Sequence, residues 1–161
     1  MSRFTAYALV ACALLAPRWL FAADFMEQDA RIKGRSYSPA VITEGGHAVW
    51  LAGESTITDL QGKNISGDFE AQIRTIFALI DQTLHRAGGN LQDVVTMTVF
   101  MTDIKNSTIV SRVRKELFAA GHLPASAQIM ISGLAVPGSV VEVQAVAVLG
   151  DKCKTGSCVS H

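Results

Sequence analysis

The sequence predicts an α+β domain in which two helices cover one face of a mixed sheet. Two amphipathic stretches alternate with short apolar runs at strand spacing, in the order β-β-α-β-α-β-β. The closing run, "VVEVQAVAV", is largely apolar on both faces, which is typical of a buried central strand. A chain of 161 residues is long enough for one such domain with a real core.

The first half of the domain predicts a hairpin followed by a helix. Residues 40–54, "AVITEGGHAVWLAGE", are two apolar strands around a Glu-Gly-Gly turn, and the polar stretch 56–67 is a loop. Residues 68–90 then carry apolar side chains at the spacing of one helix face. Asp68 is the expected N-cap, and Gly88 or Gly89 is expected to end the helix.

The second half predicts a strand, a helix and a closing pair of strands. "DVVTMTVFMTD" alternates between apolar and polar residues, and "NSTIVSRVRKELFAAG" returns to helical spacing. The last two strands, Gln128 to Ser132 and Val140 to Leu149, are expected to pair around a Pro-Gly turn. Two helices on one face leave the other sheet face uncovered, so we expect it to be buried by association with copies of the chain.

Residues 1–23 predict a secretory signal. A cation, a short apolar run and "LFAAD" follow one another, with Arg3 and Arg18 and no acid before Asp24. An uncleaved anchor and lipidation at Cys12 are the alternatives. We therefore expect a periplasmic or secreted protein with one domain over residues 24–150, which no longer contacts the membrane once the signal is removed.

The tail, residues 151–161, contains the remaining cysteines. In an oxidising compartment Cys153 and Cys158 are expected to form a disulfide, and the alternative is a metal site that also uses His161. Without residues 1–23 the chain has 12 basic and 14 acidic residues, a net charge of −2. That charge argues against nucleic-acid binding.

Glu142 is the residue that the apolar pattern does not explain. An acid in a central strand is costly unless it is hydrogen-bonded, paired or protonated, and burial would suit it to general acid–base chemistry. The alternative is a structural contact with a backbone amide or with an arginine across a subunit interface. Tyr37 precedes the first strand and could line a cleft, or could be an ordinary packing aromatic. The sequence contains none of the common nucleophile, phosphate-loop or metal motifs.

Several stretches together resemble the RidA/YjgF (Rid) superfamily. They are "YSPAV", a strand ending in "AGE", "AGGNLQDVVTMTVFMTD", and "LPAS" followed by "VVEVQAVAV". The resemblance runs from Tyr37 to Val148. It implies a chorismate-mutase-like fold, a homotrimeric barrel with clefts between subunits, hydrolysis of reactive 2-imino acids, and no metal or organic cofactor.

The resemblance also implies site residues. Glu142 matches the family's catalytic acid, Tyr37 the cleft tyrosine, and Gly53 the glycine of "S-G-Q", with Glu54 in place of the glutamine. Three further positions match the family's substrate-binding residues but differ in type, since an Arg, a Cys and an Asn are replaced here by Ser126, Gln128 and Ser111.

The change at position 126 alters the expected substrate. A guanidinium holds a carboxylate through two charge-assisted hydrogen bonds, whereas a serine offers one neutral hydrogen bond. We therefore expect a small ligand other than a standard 2-imino acid, unless Arg35, Arg112 or Arg114 reaches the cleft. The hypotheses are hydrolysis of an imine or enamine, a non-catalytic trimer that binds a small ligand, and a ribonuclease, which the negative charge and predicted export oppose.

Overall fold

The computed structural model describes residues 23–150. Single turns of 3-10 helix precede β4 and α2. The strands and helices are β1 (Ala23–Phe25), β2 (Val41–Thr43), β3 (His47–Trp50), α1 (Phe69–Ala87), β4 (Val94–Met101), α2 (Ser107–Leu117), β5 (Ala125–Met130) and β6 (Val141–Leu149).

Four strands form a mixed sheet in the order β3-β6-β4-β5. β6 runs antiparallel to both β3 and β4, and β5 runs parallel to β4. β1 and β2 form a separate antiparallel pair. The predicted α+β class and the mixed sheet with two helices are confirmed.

Both predicted hairpins are wrong. β2 pairs with β1 instead of β3, and β5 and β6 lie on opposite sides of β4 instead of beside each other. The crossover through α2 brings β5 parallel to β4, and parallel pairing requires such a connection. β5 also begins at Ala125, ahead of the predicted Gln128, so Ser126 belongs to the strand.

Helix α1 begins and ends where the sequence indicates. The Asp68 side chain accepts a hydrogen bond from the Ala71 amide at 3.1 Å, and Gly88 ends the helix at a φ of 88°. A left-handed residue at this position is a common helix end that glycine adopts without strain. Helix α2 begins differently, because Asn106, the residue before it, makes no side-chain capping bond.

The core lies between the helices and one face of the four-stranded sheet. Its members include fully buried apolar side chains of α1, α2, β4 and β6, among them Ile73, Ile76, Phe77, Leu84, Met101, Val113 and Val141. The other face of the sheet has no covering layer among residues 23–150. Trp50 is 80% exposed there, and Ile129 is exposed on the same face.

Two predicted features fall outside the described residues. They are the signal segment, apart from Ala23, and the tail with Cys153 and Cys158. Within residues 23–150, neither helix combines the length and the apolar character needed to cross a bilayer.

Candidate functional site

Glu142 lies on the uncovered face of the sheet. Its neighbours Val141 and Val143 point into the core, so strand alternation turns the Glu142 side chain away from the helices. Glu142 is half-buried in the single chain, instead of fully buried as the apolar pattern predicts, because no layer covers this face.

Gly53 makes room for the Glu142 carboxyl. A Cβ at position 53 would lie 2.4 Å from Glu142 Oε1, a separation that real Cβ atoms do not show. The backbone is held at this point by reciprocal hydrogen bonds between Glu54 and Val143, at 2.9 and 3.0 Å. Glycine at position 53 therefore allows the carboxyl to pack directly on the main chain.

Glu54 provides a second carboxyl beside Glu142. Partial burial raises the pKa of Glu54 above its usual value, and the negative charge of Glu142 raises it further. The replacement of the family's glutamine by Glu54 therefore gives this region two acids that interact.

Ser126 and Gln128 lie on the opposite face of the same sheet. Ser126 is level with Met97 and Gln128 with Val99, and both partners point into the core beneath the helices. Glu142 pairs with Phe100 instead. Phe100 is adjacent to Val99 in β4, so its side chain and that of Glu142 point to the other face of the sheet. One chain therefore cannot present Glu142 and Ser126 to a small ligand from the same side of its sheet.

Arg114 of α2 reaches Ser126. The arginine is 1% exposed, and its Nη1 donates a hydrogen bond to Ser126 Oγ. Its Nη2 donates to Ser36 Oγ at 2.9 Å, while Nε is buried and has no hydrogen-bond acceptor among residues 23–150. A guanidinium thus lies against the residue that replaces the motif arginine, although it comes from a different element.

The other candidate residues of α2 separate into two groups. Ser111 is half-buried and precedes Arg114 by three residues, which places both on one side of the helix. Arg112 is on the surface, where it forms a two-pronged pair with Glu70 at 2.9 and 2.7 Å. Of the three arginines considered from the sequence, Arg112 is therefore engaged elsewhere.

Tyr37 connects the segment before β2 to the Arg114 region. It is half-buried and acts electrostatically on Arg114, and its main-chain oxygen accepts a hydrogen bond from Gln28 Nε2 at 2.7 Å. Tyr37 also lines a cavity of about 420 Å³, together with Arg31, Ile32, Arg35 and Pro39. Arg35 thus lies near Tyr37 and forms no hydrogen bond with Ser126.

The structure brings the candidate residues together as two clusters. One contains Glu142, Gly53 and Glu54, and the other contains Tyr37, Ser36, Ser126 and Arg114. Ser111 lies one helical turn before Arg114, and Gln128 lies two residues after Ser126 on the same face of β5. Nothing in the sequence indicates Ser36, and the sequence indicates Arg114 only as one of three arginines that could reach the cleft. Among residues 23–150, no group of three or more metal-ligating side chains is placed to hold an ion.

The chain matches a known protein family over most of its length. Residues 29–149 match the family model described as Endoribonuclease L-PSP, and the chain belongs to this family, the RidA/YjgF superfamily. Protein DfrA of Myxococcus xanthus is 31% identical over 112 residues, which cover 70% of this chain and 84% of that protein. A RutC family protein of Pyrococcus horikoshii is 30% identical over 112 residues, covering 69% and 85% respectively.

Solved structures show the same fold. A Rid family protein of unknown function from Yersinia pestis has a TM-score of 0.65 at 21% identity, covering 80% of this chain and 99% of its own. RidA from an Antarctic Psychrobacter species has a TM-score of 0.58 at 25% identity, covering 78% and 95%. These similarities establish the chorismate-mutase-like architecture expected from the sequence.

Proposed function

We propose that copies of this chain associate as a trimer and bind a small molecule in clefts between subunits, where Glu142 promotes hydrolysis of an imine or enamine. The observation that carries the proposal is the placement of the Glu142 carboxyl over Gly53 on the uncovered sheet face. The solved structure named RidA, which shares the fold, adds support by analogy.

The uncovered face supports association. Trp50, Val146 and Thr96 are level with one another across β3, β6 and β4, and Glu142, Phe100 and Ile129 form a second row. A soluble domain rarely leaves so much apolar sheet surface in water. Burial of this face against another copy would also enclose Glu142, where its carboxylate could act on a bound ligand as a general base.

The proposed reaction needs only water and the carboxyl. Glu142 accepts a proton from water as the oxygen attacks the imine carbon, and the nitrogen receives protons as the carbon–nitrogen bond breaks. The products are a carbonyl compound and ammonia, so no oxidant, reductant or cofactor takes part. Tyr37, Ser111, Ser126 and Gln128 would bind and orient the ligand from the second cluster.

Export is part of the proposal. The charged start, short apolar run and "LFAAD" of residues 1–23 favour removal of a signal and a periplasmic or secreted protein. Mass spectrometry of the protein from the native host would show a mature N-terminus near Ala23 if the segment is removed. An intact Met1 on the exported protein would contradict this part.

The hydrolytic role is tested by ammonia release. A panel of imines would be generated in situ by an amino-acid or amine oxidase, and wild type would be compared with Glu142→Gln. We expect the substitution to lower turnover by about a hundredfold or more, because the amide cannot accept the proton. Equal turnover by the two proteins would remove Glu142 from the mechanism. A ligand that stabilises wild type and is recovered unchanged, with no imine hydrolysed, would assign a binding protein instead.

A further inference from the structure

Residues 28–37, here called the 28–37 loop, connect β1 to β2 in a fixed shape without helix or strand. Gln28 Nε2 donates hydrogen bonds to the main-chain oxygens of Arg35 and Tyr37, at 2.9 and 2.7 Å. Gln28 Oε1 accepts a hydrogen bond from the amide of Gly34 at 2.9 Å. The loop therefore presents its side chains from a backbone that a ligand does not have to reorganise.

Positive charge is concentrated on the 28–37 loop and its neighbour α2. Ile32 is buried and anchors the loop, whereas Arg31, Lys33 and Arg35 are exposed. Lys115 of α2 adds a fourth exposed cation, because its Nζ donates to the main chain of the loop at 2.6 Å. These four residues are a third of the 12 basic residues that follow residue 23, in a stretch of chain with a net charge of −2. The loop is therefore positive on a chain that is otherwise acidic.

Two arginines of the loop can bind an anion. The side chain of Arg35 makes no hydrogen bond and no ion pair with any residue from 23 to 150. Arg31 pairs with Asp29 at 3.2 Å, but these side chains are 79% and 54% exposed. An ion pair so open to water contributes little, so an incoming anion can take the place of Asp29.

The two arginines line one cavity. Its volume is about 420 Å³, within the range of small-molecule sites. Ile32, Tyr37 and Pro39 form the rest of its lining. Two guanidiniums beside an apolar and aromatic wall suit a ligand with a highly charged anionic group on a compact organic body.

We propose that this cavity binds an organic phosphate monoester, with both arginines on the phosphate and the organic group against the apolar wall. A phosphate monoester carries nearly two negative charges at neutral pH and three acceptor oxygens, so it can engage both guanidiniums at once. A carboxylate carries one charge and two oxygens. The site goes beyond the proposed hydrolysis and does not depend on it, because neither Glu142 nor Ser126 lines the cavity.

The test is equilibrium binding of phenyl phosphate, measured by calorimetry at neutral pH. Phenyl sulfate has nearly the same shape but a single negative charge, and benzoate presents a carboxylate on the same ring. We expect wild type to bind phenyl phosphate about tenfold more tightly than either monoanion, because the second charge meets the second guanidinium. Benzoate binding as tight as that of phenyl phosphate would overturn the proposal.

Substitutions in the cavity locate the bound phosphate. Arg35→Met should weaken phenyl phosphate binding by about tenfold, and Arg31→Met by less, because Asp29 already shares the charge of Arg31. The matched control is Arg86→Met, an exposed arginine in the last turn of α1 that does not line the cavity. Arg35→Met should keep the wild-type Tm, since the exposed side chain has no partner to lose among the described residues. Wild-type affinity in Arg35→Met, or an equal loss in Arg86→Met, would contradict a specific site.

Vesicles distinguish a free phosphate ester from a lipid headgroup. Phosphatidic acid presents a phosphate monoester, whereas phosphatidylglycerol presents a diester with one charge. Binding of phenyl phosphate without binding to either vesicle would assign a free ligand. Binding to phosphatidic acid vesicles that Arg35→Met removes would assign the same chemistry to a lipid. Equal binding to both kinds of vesicle, with no affinity for phenyl phosphate, would reduce the loop to a general basic surface and overturn the proposal.

Discussion

Gly53 determines where the Glu142 carboxyl can lie. The carboxyl packs against the main chain at a place that any Cβ would fill, since the separation from Oε1 would be 2.4 Å. The clash involves the flexible end of a side chain, so the fold can accept it while the carboxyl moves. Position 53 thus affects the site more than it affects stability.

Gly53→Ala should lower imine turnover by about tenfold to a hundredfold, because small displacements of a catalytic group are costly. Its Tm should stay close to that of wild type. Gly133→Ala is the matched control, since a Cβ there meets no atom within 4 Å and the residue is not in the left-handed region. Turnover by Gly53→Ala at the wild-type rate would show that the carboxyl does not act from this position.

Arg114 shows how far residue patterns predict a site. The motif comparison identified the missing guanidinium at position 126, but it could not indicate which of Arg35, Arg112 and Arg114 lies beside that position. The sequence did indicate that Arg114 is unusual. It follows Val110 by four residues and so lies on the apolar stripe of α2. A cation on such a stripe is either displaced towards solvent or buried with partners, and only coordinates show that Ser36 and Ser126 are those partners.

At the scale of elements, an ion-pair network joins α1 to α2. Glu70 accepts two hydrogen bonds from Arg112 and one from Arg74 at 3.0 Å, and Arg74 also contacts Glu116 at 2.7 Å. These hydrogen bonds, chiefly those from Arg112, lower the pKa of Glu70 to about 2. The network therefore links α1 to α2, the helix that carries Arg114.

In Glu70→Gln the free energy of unfolding should depend less steeply on pH in the acid range than it does in wild type. The folded pKa of Glu70 lies below its ordinary value of 4.5, so its contribution is complete above that pH and is lost as the pH falls towards 2. Urea unfolding at several pH values between these limits would measure the change. Glu44→Gln, an exposed acid in the turn before β3, is the control. The prediction would be contradicted if the free energy of unfolding fell equally steeply with pH in Glu70→Gln and in wild type.

The elements were predictable to different degrees. Alternation and helical spacing located β4, α1, α2 and β6, because burial on one side imposes those periods. Pairing was not predictable from the same pattern, since an apolar strand fits beside any other. The two expected hairpins failed for this reason, and the resulting side-by-side order of β6, β4 and β5 sets the faces of Glu142 and Ser126.

At the scale of the whole molecule, the two clusters lie on opposite faces of one sheet. Glu142 lies on the uncovered face, and Ser126 lies beneath the helices at the edge strand β5. A small ligand can contact both only if they come from different copies of the chain. Association of the copies would be favoured because it buries the uncovered apolar face.

Subunit mixing tests this shared site most directly. Glu142→Gln and Arg114→Met chains with different tags would be co-expressed, and doubly tagged assemblies would be assayed for ammonia release beside each variant alone. A doubly tagged trimer contains both variants, so one of its three clefts should place an intact Glu142 beside an intact Arg114, with turnover recovered in proportion. If both groups came from one chain, every cleft would lack one of them, so turnover no higher than that of the separate variants would contradict the account.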